Sequence, residues 1–150
     1  MDLQDQPGHL IRRAQQIAVA RFAEALGREL TPVQYAILRR LQQRPGIDQV
    51  TLAREVALDT STAADIAARL ENKGWILREL LPRRQRRLLL TPQGEALLAR
   101  LLPAIEGLNA TLLGALDAAE RELFMALLRK FVRLNEARAE DAEPRGAAPN

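Results

Sequence analysis

The pattern that decides the fold lies in residues 59–94, which read DTSTAADIAARLENKGWILRELLPRRQRRLLLTPQG. Asp59 or Thr60 is a typical helix N-cap, and Gly74 stops the helix that follows. The apolar stripe of this helix repeats at three- and four-residue steps and consists of Ala63, Ile66, Ala67 and Leu70. Two strand-like runs come next, residues 75–81 and 86–90, and a basic turn joins them. The stretch therefore predicts a capped amphipathic helix followed by a hairpin with a basic tip.

A shorter helix is predicted immediately before this stretch, over residues 49–57, with Asp48 as its N-cap. Its inward side chains are Val50, Leu52, Ala53 and Val56. About three residues separate it from the next helix, and two helices joined in this way make a helix-turn-helix. With the hairpin added, the sequence predicts a winged helix-turn-helix. This is a mainly α fold with a small β wing, and it binds duplex DNA.

Positive charge is concentrated in one part of the chain. The formal net charge is only +3, yet residues 69–87 contain seven basic side chains and two acidic ones. Such a cluster is the electrostatic footprint of contacts with phosphates.

Composition excludes several classes of protein. The absence of cysteine excludes disulfides, thiolate catalysis and thiol-based redox sensing, and the single histidine, His9, argues against an ordinary zinc site. The sequence has no glycine-rich phosphate loop and no nucleophile–base pair, so we expect neither an enzyme nor a bound cofactor. Without an apolar signal segment or a run of about 18 apolar residues, we expect a cytoplasmic protein with no membrane anchor.

Four more helices complete the predicted order. The first helix covers residues 7–26, and the second begins at Thr31-Pro32. The fifth runs from Thr91-Pro92 to about Leu116, and the last begins at a capping box at 117–120. Pro103 should kink or divide the fifth helix. The first, fifth and sixth helices carry more apolar surface than a small winged-helix core can cover, which favours a homodimer. We therefore expect a helical dimerisation region at 7–30 and 100–137, a DNA-binding domain at 31–99 and a disordered tail at 138–150.

Three segments resemble the MarR family of transcriptional regulators. They are LTPVQYAIL at 30–38, LAREVALDTSTAADIAARLENKGW at 52–75 and LLLTPQG at 88–94, and the resemblance covers about residues 7–137. The segment QPGHLIRRAQQIAVARF at 6–22 is similar to a subgroup that represses genes for the breakdown of aromatic and N-heteroaromatic, nicotinate-type acids. The resemblance implies a dimeric repressor. It leaves its operator when a small anionic aromatic ligand binds between the dimerisation and DNA-binding parts.

Two departures from the family pattern affect the DNA-binding surface. The wing of the family usually carries Asp-Arg-Arg nine residues before the threonine of Leu-Thr, where this chain has Pro82-Arg83-Arg84. The aspartate that braces the arginine is therefore missing. The family also often has a basic residue early in the recognition helix, whereas this chain has Thr60, Ala64 and Asp65 there.

The candidate DNA contacts are Thr60, Ser61, Thr62 and Asp65 on the helix and Arg83, Arg84 and Arg86 on the wing. The hydroxyls lie near the positive end of the helix dipole and can donate to phosphates, while the carboxylate can accept from a cytosine amine. Arg83 and Arg84 are favoured over Arg86 and Arg87, which point to opposite faces of a strand. Alternatively, Thr60 and Ser61 only cap the helix, Asp65 pairs with Arg69, and the wing is a solvated edge.

The candidate ligand contacts are His9, Arg12, Arg13 and Gln16, with Tyr35 as a wall or a hydroxyl. The first four share one polar face of the first helix, where arginine can hold a carboxylate through a charge-assisted hydrogen bond. A solvent-facing or inter-subunit polar face is an equally weighted alternative. Trp75 is expected to pack where the wing begins.

Together these features predict a ligand-responsive, dimeric transcriptional repressor that binds a pseudo-palindromic operator in double-stranded DNA. Two alternatives stay open. One is a sequence-indifferent architectural DNA-binding protein. The other is a degenerate family member that acts as a ligand- or protein-binding module, a reading to which the missing wing aspartate gives weight.

Overall fold

The computed structural model describes residues 1–142, without the side chains at 84 and 140–142. Its helices are α1 (Pro7–Leu26), α2 (Pro32–Gln43), α3 (Gln49–Glu55), α4 (Thr60–Asn72), α5 (Pro92–Thr111) and α6 (Ala118–Ala142). Its strands are β1 (Ile76–Leu80) and β2 (Arg86–Leu90), and short 3-10 turns occur at Leu3–Asp5 and Pro82–Arg84. The mainly α fold with a small β wing is therefore confirmed.

Carboxylate caps fix where the two helices of the helix-turn-helix begin. Asp48 accepts from the backbone N–H of Thr51 at 2.9 Å, and Asp59 accepts from that of Thr62 at 2.8 Å. Of the two candidates for the α4 N-cap, Asp59 is therefore the one that caps.

The predicted third helix needs two corrections. It ends at Glu55 instead of residue 57, because Ala57 adopts a left-handed φ of 57° and turns the chain toward α4. Val50 was expected to face inward, yet it is 66% exposed. It precedes Leu52 by two residues, which places it on the opposite side of the helix.

The wing is an antiparallel pair whose register runs from Ile76 opposite Leu90 to Leu80 opposite Arg86. A third segment supports its base. The N–H of Gly46 donates to the carbonyl of Leu88 at 3.0 Å, and the N–H of Leu88 donates to the carbonyl of Ile47 at 3.0 Å. The tip is closed by one backbone hydrogen bond of 2.7 Å, from Leu81 to Gln85.

One hydrophobic core joins the first five helices and the wing. The largest fully buried side chains are Ile37, Leu38, Leu41, Leu52, Leu70, Ile76 and Leu88. Phe22 of α1 and Leu97 of α5 belong to the same core. Helix α4 and the wing therefore share one packed support, and the predicted functional boundaries near residues 30 and 99 lie inside it.

The chain divides into two compact units, with the boundary between Leu112 and Leu113. The first unit contains α1 to α5 and the wing, and the second contains α6. The large apolar side chains that α6 exposes are Leu123, Phe124, Leu127, Leu128, Phe131, Val132 and Leu134.

Helix α5 continues through Pro103, so of the two outcomes predicted there the division does not occur. Pro103 and Ala99 are both exposed, and the carbonyl freed by the missing N–H can be hydrated. The helix ends at Thr111 instead of the predicted Leu116. The Thr111 hydroxyl donates to the carbonyl of Gly107 at 2.8 Å, a local bond that competes with the continuing helix.

Helix α6 begins at the predicted capping box, which is confirmed. The N–H of Asp117 donates to Glu120 Oε2 at 2.8 Å, and the N–H of Glu120 donates to Asp117 Oδ1 at 2.9 Å. The helix runs to Ala142, past the expected end at Ala137, because alanine, arginine and glutamate have high helix propensity. The rest of the predicted disordered tail, residues 143–150, lies outside the described residues.

Candidate nucleic-acid interface

The outward side of α4 is a ridge of polar side chains. Ser61, Asp65 and Arg69 follow one another at four-residue steps, and all three are exposed. Thr60 and Thr62 are exposed at the start of the same helix. The opposite side is buried, with Ala63, Ala67 and Leu70 in the core and Ile66 half-buried. The structure therefore brings the four predicted helix residues to one end of an exposed surface.

Two details of this ridge bear on the alternative roles that the sequence left open. The Thr62 hydroxyl donates to Asp59 Oδ2 at 2.7 Å, so its proton is already used in the cap. Asp65 and Arg69, both within the described part, do not form an ion pair with each other. The carboxylate and the guanidinium of the ridge therefore both face solvent.

The wing tip presents arginine in an unusual backbone conformation. Arg83 is exposed and has φ 68° and ψ 25°, in the left-handed region that favours glycine. Arg86 is exposed at the start of β2. The side chain of Arg84 lies outside the described residues, so its contact with DNA stays a prediction.

Two other arginines of the basic cluster are held by carboxylates. Arg87 donates to Glu79 Oε2 through Nη2 at 2.6 Å and Nε at 3.0 Å. Arg78 donates to Glu71 Oε1 through Nη2 at 3.1 Å and Nε at 3.3 Å. The first pair agrees with the expectation that Arg87 is a poorer DNA contact than Arg83.

Neither Glu79 nor Glu71 was predicted from the sequence as a partner of these arginines. Glu79 and Arg87 are direct cross-strand partners, so the register of the hairpin could have revealed that pair. No local rule links Glu71 of α4 to Arg78 of β1, because their approach depends on the direction in which the strand leaves the helix.

Hydrogen bonding keeps three carboxylates of this region ionised. The side chain of Arg78 lowers the pKa of Glu71 below its usual value. The side-chain and backbone donors of Thr51 lower the pKa of Asp48, and those of Thr62 do the same for Asp59.

A compact junction connects α4, β1 and α5. Trp75 is half-buried against the core, and the ammonium of Lys73 lies 4.7 Å from the centroid of its ring. This confirms that Trp75 packs where the wing begins. Thr91 caps α5 by accepting from the N–H of Gly94 at 3.1 Å, and its own hydroxyl donates to the carbonyl of Gly74.

Of the five predicted ligand contacts, the four on α1 share one helix, and Tyr35 lies elsewhere. Arg12 Nη2 lies 3.2 Å from His9 Nδ1, and Arg13 and Gln16 are exposed further along α1. Tyr35 instead packs against Phe22, with ring centroids 6.1 Å apart. Because Phe22 follows His9 by thirteen residues, about 20 Å of helix separates them. Tyr35 and His9 of one chain therefore cannot hold the same small ligand.

Within residues 1–142, no group of His, Cys, Asp or Glu side chains is arranged to hold a metal ion. The helices of the same part are all too short or too polar to cross a bilayer.

Comparisons with known proteins agree with this architecture. The model of the MarR family matches residues 30–87. The chain is 37% identical over 134 residues to the transcriptional regulator HosA of Escherichia coli, an alignment that spans 88% of this chain and 98% of HosA.

Two solved structures are also similar over most of the chain. The PcaV transcriptional regulator from Streptomyces coelicolor superimposes with a TM-score of 0.83 at 36% identity, covering 89% of this chain and 96% of that one. BpsR from Bordetella bronchiseptica, whose DNA binding is regulated by 6-hydroxynicotinic acid, gives a TM-score of 0.82 at 30% identity, with 89% and 98% covered.

Proposed function

The chain belongs to the MarR family and is a transcriptional regulator, not an enzyme. We propose that it is a homodimeric repressor and that a small aromatic acid releases it from DNA. One observation carries the DNA-binding part of this proposal. The polar ridge of α4 lies on the same packed unit as a wing whose tip presents exposed arginine.

The ridge of α4 suits the major groove. The hydroxyl of Ser61 can donate to a phosphate near the helix N-terminus, where the helix dipole also attracts negative charge. One turn further, the Asp65 carboxylate can accept from the amine of a cytosine, and Arg69 can donate to a guanine or a phosphate.

The wing tip suits the flanking minor groove or its phosphates. Arg83 and Arg86 form no ion pair with any other residue of the described part, whereas Arg78 and Arg87 are neutralised within the protein. An arginine at the end of a hairpin can enter the minor groove, where the potential is most negative in narrow tracts. We assign this role to Arg83 and Arg86, together with Arg84.

A second copy of the chain is the partner that best explains the apolar surface of α6. Seven large apolar side chains on that helix are between 40% and 61% exposed. Helix α1 also exposes Leu10, Ile11, Ile17 and Val19. Soluble monomers rarely leave so much apolar surface uncovered, and two copies related by a two-fold axis would place two copies of α4 on half-sites one helical turn apart.

We place the carboxylate of the effector on α1. Arg12 and His9 are already adjacent, and a guanidinium forms a strong charge-assisted hydrogen bond with a carboxylate. Arg13 and Gln16 lie on the same face. The related BpsR responds to 6-hydroxynicotinic acid, which is an acid of the expected class. Tyr35 of the same chain is too far away to share this site, because it lies beside Phe22, and Tyr35 of the second copy stays a candidate.

The wing role can be tested with Arg83→Gly. Glycine adopts a φ of 68° without strain, so this variant removes the charge and does not distort the turn. On an operator selected from a pool of random duplexes, we expect weaker binding. The slope of log affinity against log salt should fall by about 0.9 for each lost phosphate contact. Arg21→Met on α1 removes the same charge and should keep the wild-type slope. An unchanged slope in Arg83→Gly would remove Arg83 from the interface.

The effector role can be tested by adding 6-hydroxynicotinic acid to the protein–operator complex. We expect release of DNA by this acid and little release by its uncharged amide. Arg12→Met should weaken the response to the acid while operator affinity without acid stays unchanged. Equal responses of wild type and Arg12→Met would contradict the assigned carboxylate contact.

A further inference from the structure

One pair of residues joins the recognition helix directly to the wing. Glu71 lies in the last turn of α4, and Arg78 lies in the middle of β1. The backbone N–H of Arg78 donates to Glu71 Oε2 at 3.0 Å, while its guanidinium donates to Glu71 Oε1 through two nitrogens at 3.1 and 3.3 Å. Both oxygens of one carboxylate are thus taken by one residue. We call this arrangement the Glu71–Arg78 clamp.

The guanidinium of the clamp is largely shielded from solvent. The side chain of Arg78 is 16% exposed, the lowest value for any cation of the ion pairs in the described part. Its cross-strand partner, Leu88, is fully buried, so Arg78 lies on the face of the hairpin that packs against the core. A guanidinium held in this way is not available to a phosphate.

The connection between α4 and β1 turns at Gly74, whose φ is 79°. Two backbone hydrogen bonds tie it to the last turn of α4: the N–H of Gly74 donates to the carbonyl of Glu71 at 2.9 Å, and the N–H of Trp75 donates to the carbonyl of Leu70 at 3.1 Å. These bonds end at Trp75, one residue before β1. The base of the wing is tied to the segment around Gly46 and Ile47, on the side of β2. On the side of β1, the clamp supplies three hydrogen bonds to the helix that carries the reading ridge.

We infer that the Glu71–Arg78 clamp sets the position of the wing tip relative to the ridge of α4, so that both surfaces engage one operator at the same time. Arg78 and Glu71 are positioning residues in this inference and touch no DNA. The inference rests on the proposed DNA binding.

Charge and geometry lead to opposite expectations for Glu71→Ala, which makes this variant the sharpest test. Removal of a negative charge near DNA would by itself strengthen binding to any duplex. Loss of the clamp would instead misplace the wing and weaken binding to the operator. We expect a loss of about tenfold on the operator, comparable to one mismatched base pair, with no loss on random DNA of equal length.

Two further variants separate positioning from other roles. Glu71→Gln keeps one carbonyl oxygen as an acceptor and should restore part of the operator affinity. Arg78→Met removes the guanidinium and should weaken operator binding. Its salt slope should differ from that of wild type by less than about 0.9, the change expected for one lost phosphate contact. Circular dichroism and thermal melting of each variant report whether it is folded. If Glu71→Ala does not fold, Glu71→Gln carries the test.

Several results would overturn the clamp. The first is that Glu71→Ala binds the operator as tightly as wild type or more tightly. The second is that a folded Arg78→Met variant binds the operator with wild-type affinity. The third is that the salt slope of Arg78→Met falls by the amount expected for one lost phosphate contact. If only Glu71→Gln folds, an affinity equal to wild type overturns the inference. If the wild-type chain shows no preference for the operator, the proposed function itself is contradicted. This result is obtained before any variant is made.

Discussion

Gly94 shows why one residue type is required at one position. It lies in the first turn of α5, against the chain that leaves α4 for the wing. A Cβ atom at this position would lie 2.2 Å from the carbonyl oxygen of Trp75 and 3.1 Å from its carbonyl carbon. The glycine of the Leu-Thr-Pro-x-Gly segment is therefore needed for a close approach between two backbones, which the sequence pattern alone does not reveal.

We expect Gly94→Ala to lower the free energy of unfolding by about 1–3 kcal/mol, since neither backbone can yield without distortion. Urea unfolding measures this change. Gly107→Ala is the matched control in the same helix, because a Cβ atom there would meet nothing within 4 Å. Alanine at that exposed helical position should instead raise stability by about 0.5–1 kcal/mol. Equal effects of the two substitutions would contradict the close approach.

Whether a single side chain is buried or exposed could be predicted where the periodicity of a helix or strand determines it. The exposure of Ser61 and Asp65 follows from the stripe that Ala67 and Leu70 bury on the opposite side of α4. The placement of Tyr35 against Phe22 could not be read in this way, since it depends on how two helices cross.

The helices themselves show where sequence reasoning is strong and where it fails. Their starts were predicted well, because an N-cap such as Asp48 or Thr31 bonds to a residue three positions away. Their ends were predicted less well. The end of α3 depends on the left-handed turn at Ala57, and α6 continues on propensity alone after its apolar stripe has ended.

The carboxylate caps of α3 and α4 should make the free energy of unfolding depend on pH. Donors from Thr51 and Thr62 lower the pKa of Asp48 and Asp59 below the ordinary value of 3.8. A folded pKa below the unfolded one means that the caps stabilise the fold above about pH 4 and lose this effect as pH falls through the lower folded pKa.

We therefore expect the Asp48→Asn/Asp59→Asn double variant to lose stability less steeply than wild type below about pH 4, because asparagine still caps but does not titrate there. Urea unfolding at a series of pH values measures the slope. Thr31→Asn exchanges one uncharged cap for another and should leave the slope unchanged. Parallel curves for wild type and the double variant would show that the caps are not linked to acid unfolding.

At the scale of the whole molecule, a single chain leaves a large apolar surface exposed. The apolar stripe of α6 was predicted from its period, and the structure leaves that stripe exposed. A helix this apolar on one face needs a partner surface, and in our account a second copy supplies it. In our proposal, dimerisation and DNA binding are separate functions only in the assembled dimer, while a single core runs through α1 to α5 and the wing.

We expect Leu127→Glu/Phe131→Glu to convert a dimer into a monomer, since two carboxylates would be buried without partners in the interface. Light scattering on a sizing column should give about twice the chain mass of 16.7 kDa for wild type and about that mass for the variant. Leu127→Met/Phe131→Leu keeps the stripe apolar and should remain dimeric. A wild-type chain that elutes as a monomer at micromolar concentration would contradict this assignment.

The central claim is that the ridge of α4 and the wing read one DNA sequence, and the ratio of two affinities tests it most directly. The wild-type chain is titrated at physiological salt with an operator selected from random duplexes and with scrambled DNA of the same length and composition. We expect the operator to bind at least about 10³-fold more tightly, the lower bound typical of specific regulators. A ratio near one, as an architectural protein without sequence preference would give, would contradict the account.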